Sequence, residues 1–192
     1  MEFIYEHDNF FPDVYCDHLV EKYETDGIKT KGRTAAGVDI NIKRSLDVVM
    51  GRDNETWFDE ICYIYVKVKQ GLQKYVKYLS DNDYHNQKQL YEMIKTSTLT
   101  HPQIQKTEPN GFYTWHFDGG VPVCHRLFTY IIYLNDLNID AGGSTEFLHK
   151  KIQPKKGKLV IFPATWPLLH RGETVRKGNK YILTGFVLSS PE

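Results

Sequence analysis

Two residues in the run Gly111-Phe112-Tyr113-Thr114-Trp115-His116-Phe117-Asp118-Gly119-Gly120 could do chemistry together. They are His116 and Asp118, an imidazole and a carboxylate two positions apart. The preceding Phe112-Tyr113-Thr114-Trp115 is aromatic and β-branched, a composition that favours a strand. On a strand, residues i and i+2 point to the same face, so the two side chains would stand side by side. One more histidine from a distant strand would complete a set of two His and one carboxylate. That donor set suits Fe(II) and leaves coordination positions open for substrate and dioxygen. Three later histidines could supply it: His125 before an apolar run, His149 beside two lysines, and His170 at the start of a run leading to Lys180. Position alone leaves all three open.

The elements that must hold such a set can be placed from periodicity. Residues 1–11 alternate loosely and predict a short strand. Pro12-Asp13 opens a helix with Val14, Tyr15, His18, Leu19 and Tyr23 at helical spacing, stopped by Gly27. Residues 28–37 are polar, basic and glycine-containing, which fits a solvated loop or a mobile lid over a site. Residues 38–49 read as one or two strands. Gly51-Arg52-Asp53-Asn54 is a turn, with Asp53 or Asn54 as an N-cap. A long amphipathic helix over 55–79 follows, and its stripe of Phe58, Ile61, Cys62, Tyr65, Val68, Leu72, Tyr75, Val76 and Leu79 should pack on a sheet. Residues 80–86 form a loop, and 90–99 fit helix or strand equally.

From Pro102 onward, short β-rich runs alternate with Gly, Pro, Asn and Asp turns, at 104–107, 111–117, 127–134, 144–148, 159–162, 170–175 and 181–188. Such spacing suggests a sandwich or jelly roll. Helices first and strands later predict an α+β fold, with helices packed on one sheet. One domain over 1–192 is expected, with helical support in about 1–100 and a β core in about 101–190.

Composition narrows the function classes. The formal net charge is zero, which argues against a general polyanion binder such as a non-specific nucleic-acid protein. No apolar run approaches membrane-spanning length. The start, Met1-Glu2-Phe3-Ile4-Tyr5-Glu6-His7-Asp8, lacks the basic and apolar regions of a signal peptide. Cys16, Cys62 and Cys124 are an odd set with no close pair, unlike a disulfide framework or a zinc cluster. A cytoplasmic setting is therefore expected.

His116-Phe117-Asp118, then His170, then Lys180 ten residues later, resembles the Fe(II)/2-oxoglutarate-dependent dioxygenases, in their prolyl 4-hydroxylase-like branch. The similarity extends through the residues 104–113 leading into the first ligand and the run 127–136. It continues through Gly142-Gly143-Ser144-Thr145-Glu146-Phe147, the turn and strand from Ile152 to Phe162, and the closing His170-Arg171-Gly172, Val175 and Gly178-Asn179-Lys180. It is good from about 104 to 188 and weaker over the N-terminal helices, where residues 9–24 still look similar.

The resemblance implies a double-stranded β-helix with Fe(II) held by His116, Asp118 and His170. It also implies 2-oxoglutarate as co-substrate, O2 as oxidant and ascorbate as supporting reductant. The distal carboxylate of 2-oxoglutarate needs a buried cation and hydroxyl donors, because an unpaired buried carboxylate is costly. Lys180 is the cation, Thr184 lies four residues on, and Tyr133 matches the family's carboxylate-binding tyrosine. Thr107 stands about where the family often has a tyrosine, and Tyr113 is the candidate to replace it. Trp115, Arg126 and Trp166 are candidate substrate residues. Related halogenases carry a small residue at the carboxylate position, so Asp118 implies hydroxylation.

The substrate implied is a prolyl residue in a peptide or protein. A free amino acid, small metabolite or nucleobase would use the same chemistry. Nucleic-acid demethylases of the superfamily carry an Arg-x-Asn pattern after the last histidine, and none follows His170 here. A non-catalytic metal-binding β-helix is the remaining alternative, but it would have no need of Lys180.

Overall fold

A computed structural model describes residues 3–26, 28–51, 55–82 and 87–189. Gly27, Asp53 and Asn54, assigned above to a helix stop and an N-cap, lie outside the described residues. The strands form two antiparallel sheets. The larger runs in the order β1 (Tyr5–His7), β10 (Leu159–Pro163), β7 (Arg126–Tyr133), β12 (Lys180–Leu188), β5 (Gln103–Thr107), β3 (Leu46–Val49) and β2 (Thr30–Lys31), with β4 (Thr98–Leu99) also paired to β12. The smaller runs β6 (Tyr113–His116), β11 (His170–Gly172), β8 (Thr145–Phe147) and β9 (Lys151–Ile152). This is the expected double-stranded β-helix.

Period-two alternation decides which side chains reach the site. On β7, Phe128, Tyr130 and Ile132 face outward into a core with the helices, while Ile131 and Tyr133 face the smaller sheet. On β10, Leu159 and Ile161 face the helices and Val160 and Phe162 face inward. Both strands are buried on both faces, which explains their continuous apolar runs. On β12, Leu183 and Val187 join the helical core, while Lys180, Ile182, Thr184 and Phe186 turn into the space between the sheets.

Three helices, α1 (Asp13–Thr25), α2 (Phe58–Asp81) and α3 (Gln87–Lys95), lie on the sequence between the first strands. α1 buries Cys16, Leu19 and Tyr23, but the expected Val14 is 81% exposed. α2 buries Glu60, Ile64, Val68, Gly71, Leu72, Tyr75 and Leu79. Phe58 and Cys62, expected on the stripe, are exposed instead. They sit two positions from Glu60 and Ile64, on the far side of a helix that turns about 100° per residue. Glu60 tolerates burial because Lys22 Nζ and His18 Nε2 lie 2.7 and 2.8 Å from its Oε1. A Cβ on Gly71 would meet Leu159 Cδ2 at 2.7 Å, so this glycine lets α2 lie close on the sheet.

The stretch 38–49 holds one strand, not two. Residues 42–44 instead reach across to the smaller sheet. Ile42 O accepts from Thr114 N, Arg44 N donates to Phe112 O, and Lys43 pairs with Tyr113. The chain thereby straps the free edge of β6 to the edge of the larger sheet. Residues 28–37 are partly ordered as β2 and a tight turn closed between Thr34 and Gly37. Residues 87–99 divide into α3 and β4. All three cysteines are free, and among the described residues no helix is long and apolar enough to cross a membrane.

Candidate active site

Three donor atoms converge where the two sheets open. His116 ends β6, and its register partner across the strand pair is His170, the first residue of β11. Asp118 lies beyond the end of β6, in a bend, so strand alternation does not place it. The bend brings its Oδ1 to 3.4 Å from His116 Nε2 and its Oδ2 to 3.4 Å from His170 Nε2. One donor atom from each residue lies within 4.8 Å of the others. His125 and His149 are not part of this group.

The tautomers follow from the second ring nitrogen of each histidine. His116 Nδ1 donates to Thr114 O at 2.8 Å, and His170 Nδ1 donates to Leu168 O at 3.1 Å. Both Nε2 atoms then carry lone pairs, aimed at a carboxylate that also carries only lone pairs. Three acceptors facing one another need a cation between them, and two imidazoles with one carboxylate suit iron. Burial lowers the His116 pKa, with Asp118 opposing, which favours the neutral ring. Burial alone would raise Asp118, but positive charge on His170 and His116, where a ring is protonated, outweighs it and holds the carboxyl well below its usual range.

A surrounding shell fixes this geometry. Thr129 on β7 donates its hydroxyl to Asp118 Oδ2 at 2.6 Å. Arg126 Nη1 donates to the Asp118 carbonyl at 3.0 Å and lays its guanidinium 3.6 Å from the Phe186 ring centroid. Tyr113 stacks on His116 with centroids 3.6 Å apart and a 19° tilt. Behind Tyr113, Lys43 Nζ lies 5.4 Å from its ring. Lys43 is itself buried and paired with Asp47 at 2.8 Å, and Ser45 donates to Asp47 at 2.7 Å.

The donors open on a cavity of about 590 Å³. Lys180 is on its wall, 6% exposed, with its Nζ 5.6 Å from the Tyr133 ring. It has no hydrogen bond or ion pair among the described residues. Burial pushes its pKa down to about 8, with Glu173 opposing. Thr184 shares the wall, with its hydroxyl donated to Tyr130 O at 2.7 Å.

The structure brings His116, Asp118, His170, Lys180, Thr184, Tyr113 and Arg126 onto one cavity. Tyr133 is one layer behind it. Its hydroxyl donates to Thr145 Oγ1 at 2.7 Å, and Thr145 is the residue that lines the cavity. Trp115 alternates away from His116 to the outer face, under Arg171 at 5.1 Å. Trp166 is 64% exposed and packs edge-on against Phe117, off the cavity wall. Sequence reasoning missed Thr129 and Thr145 as functional positions. Thr129 is a small polar residue in the apolar run 127–133, and that contrast is its signal, whereas Thr145 stands between Ser144 and Glu146 with no such contrast. Arg33, Thr34 and Ala35, from the segment expected as a loop or lid, also reach the cavity wall.

Residues 102–188 match the model of the 2OG-Fe(II) oxygenase superfamily. Several solved structures share the fold. The viral collagen prolyl hydroxylase of Paramecium bursaria Chlorella virus-1, in its 2OG complex, is 20% identical, with 99% of this chain and 97% of that chain covered and a TM-score of 0.69. The Pseudomonas putida prolyl-4-hydroxylase is 14% identical over 100% and 95% of the two chains, with a TM-score of 0.69. The Trichoplax adhaerens prolyl hydroxylase, in complex with a hypoxia inducible factor peptide fragment, is 18% identical over 97% and 84%, with a TM-score of 0.73. A search of curated proteins found no significant match. The family match spans the strand-rich half and the fold is that of the prolyl hydroxylases. The likeness to these solved structures is one of fold, and the match to the superfamily model is confined to residues 102–188, where His116, Asp118 and His170 converge.

Proposed function

We propose that this chain hydroxylates a prolyl residue of a peptide or protein, with His116, Asp118 and His170 holding Fe(II) and Lys180 holding 2-oxoglutarate. The observation that carries the reading is Lys180. A buried ammonium without an anion is costly, so its place on the same cavity as three converging donors marks a carboxylate site.

Thr145 completes that site. Its oxygen accepts the Tyr133 hydroxyl proton, which leaves its own hydrogen free to donate to the carboxylate. Tyr133 thus acts through Thr145. Thr184 already donates to a main-chain carbonyl and offers lone pairs on that wall, unless its hydroxyl turns. The bound iron and 2-oxoglutarate supply the oxidation, with dioxygen divided between the substrate C–H and 2-oxoglutarate, which leaves as succinate and carbon dioxide. Thr129 and the Nδ1 bonds of both histidines hold the donor set rigid, so no reorganisation is needed on binding. Asp118 occupies the carboxylate position, so the outcome is hydroxylation. A peptide substrate is supported by the fold shared with a prolyl hydroxylase solved with a peptide fragment.

Calorimetry of 2-oxoglutarate with the Mn(II)-loaded protein tests the co-substrate site. Binding should be saturable in wild type and lost in Lys180→Met, whose side chain keeps the volume without the charge. Equal affinity in the two proteins would remove Lys180 from the site.

A further inference from the structure

Lys43 is buried on the cavity wall, 4% exposed, apart from the three donors and from the Lys180 end. It stands on the strap, joined to Tyr113 of β6 by an isolated antiparallel bridge. The main chain on either side is tied to the same strand, with Thr114 N donating to Ile42 O at 2.9 Å and Arg44 N to Phe112 O at 2.8 Å. A Cβ on Gly32 would meet Lys43 Cε at 3.0 Å, so the segment before the strap closes over the lysine stem. The ammonium is held at 2.8 Å from Asp47 Oδ2 and 5.4 Å from the centre of the Tyr113 ring.

Stability alone does not account for a lysine at this place. A buried ion pair is often matched or bettered by apolar side chains of the same volume, because desolvation offsets the attraction. What an apolar side chain cannot supply is a cation's attraction for a ring face, which is strongest away from water. Tyr113 has no other polar hold on its ring, since its hydroxyl makes no hydrogen bond among the described residues. The ring in turn lies on His116, with centroids 3.6 Å apart and a 19° tilt. The bond from His116 Nδ1 to Thr114 O fixes one atom of the imidazole and leaves the ring free to swing about it. A stacked neighbour fixes the plane. The direction of the Nε2 lone pair depends on both restraints.

We propose that Lys43 is a positioning residue for the metal site. Through the Tyr113 ring it holds the imidazole plane of His116, so that Nε2 faces Asp118 and His170. This ladder of Lys43, Tyr113 and His116 rests on the reading of the three donors as a metal site. It adds a residue from the strap, outside the two sheets, and gives the strap a role in the site as well as at the sheet edge.

Co(II) titration of the metal-free protein, followed by visible absorption, tests the ladder without turnover. Lys43→Met with Asp47→Leu removes the cation without leaving a buried charge unpaired. It should weaken Co(II) roughly three- to tenfold, at or below the low end of the cost of losing a direct partner of a metal ligand. Lys43→Gln can still donate to Asp47 but carries no charge, so it should show the same loss, and it covers the case in which the double variant does not fold. Lys43→Arg keeps a cation for the ring face and should recover most of the affinity. Tyr113→Leu should weaken Co(II) roughly tenfold, and Tyr113→Phe, which keeps the ring, by less than about twofold. Adding Tyr113→Leu to Lys43→Gln should weaken Co(II) no further than Tyr113→Leu alone, because the lysine acts through the ring. A melting curve for each variant confirms that it is folded.

Wild-type Co(II) affinity in Lys43→Gln would overturn the ladder. So would a combined variant weakened by the product of the two separate losses, since Lys43 would then act independently of Tyr113. A wild type that takes up no Co(II) would sink the metal site and the ladder together. Co(II) binding that is indifferent to Lys43 would leave the metal site standing and remove the ladder alone.

Discussion

Thr129 and Asp118 are joined by a 2.6 Å hydrogen bond that crosses from the larger sheet to the bend after β6. Among the described residues it is the one side-chain bond that fixes the carboxylate from the larger sheet, and it leaves Oδ1 toward His116. Thr129→Val keeps the shape and removes the donor. Mn(II) or Co(II) affinity should fall roughly 10- to 100-fold, as for other residues that orient a metal ligand. Titration of the metal-free protein measures it. Unaltered affinity would mean that the bend alone orients Asp118.

Lys180 makes co-substrate binding depend on pH. Its pKa is lowered to about 8 in the unliganded protein, and a bound carboxylate raises it. Below pH 8 the ammonium is already present, so affinity should be flat. Above it, binding must take up a proton, and affinity should fall by up to about tenfold per pH unit until the liganded pKa is reached. Calorimetry at pH values on either side, in buffers of different ionisation enthalpy, detects the proton. Lys180→Arg should bind more weakly but without this slope, because the guanidinium stays charged.

How far the site was legible in the sequence follows from how local each signal was. His116, His170 and Lys180 each sit on a strand whose alternation sets their direction, and the motif order located them. Asp118 was found for a reason that does not hold, since it lies past the strand and a bend aims it. Tyr133 and Thr145 show the same difficulty in another form. The sequence pointed to Tyr133, whereas the cavity wall is Thr145, because a side chain's layer depends on what stands in front of it. The helices were legible in existence and less so in facing. α2 rotates to bury Glu60, and no hydrophobic count anticipates a carboxylate on the core side. The strap at 42–44 was read as strand because Ile40 and Ile42 alternate, yet both are exposed, and main-chain bonds together with Lys43 over the Tyr113 ring hold the segment to β6.

The buried pair within and beside that strap should matter for stability. Lys43 and Asp47 are 4% and 5% exposed at the side chain and 2.8 Å apart. Lys43→Met leaves the Asp47 carboxylate without its cation, which costs about 3–5 kcal/mol and lowers the melting temperature by roughly 6–20 °C. The double variant Lys43→Met with Asp47→Leu should recover most of this, since replacing both charges removes the unpaired one. Thermal unfolding followed by circular dichroism reads both. A double variant no more stable than the single would show that the pair holds the strap by geometry that apolar packing cannot replace.

The central claim is tested most directly by measuring succinate and peptide mass in one reaction. The protein is given Fe(II), ascorbate, 2-oxoglutarate and a proline-rich peptide. The account predicts succinate and oxygen-bearing peptide in equal amounts, the added oxygen on a prolyl residue, and neither product from Asp118→Ala or His116→Ala. Succinate with no oxygen gained by any proline-containing peptide would contradict the prolyl assignment, and full turnover in either variant would contradict the metal site.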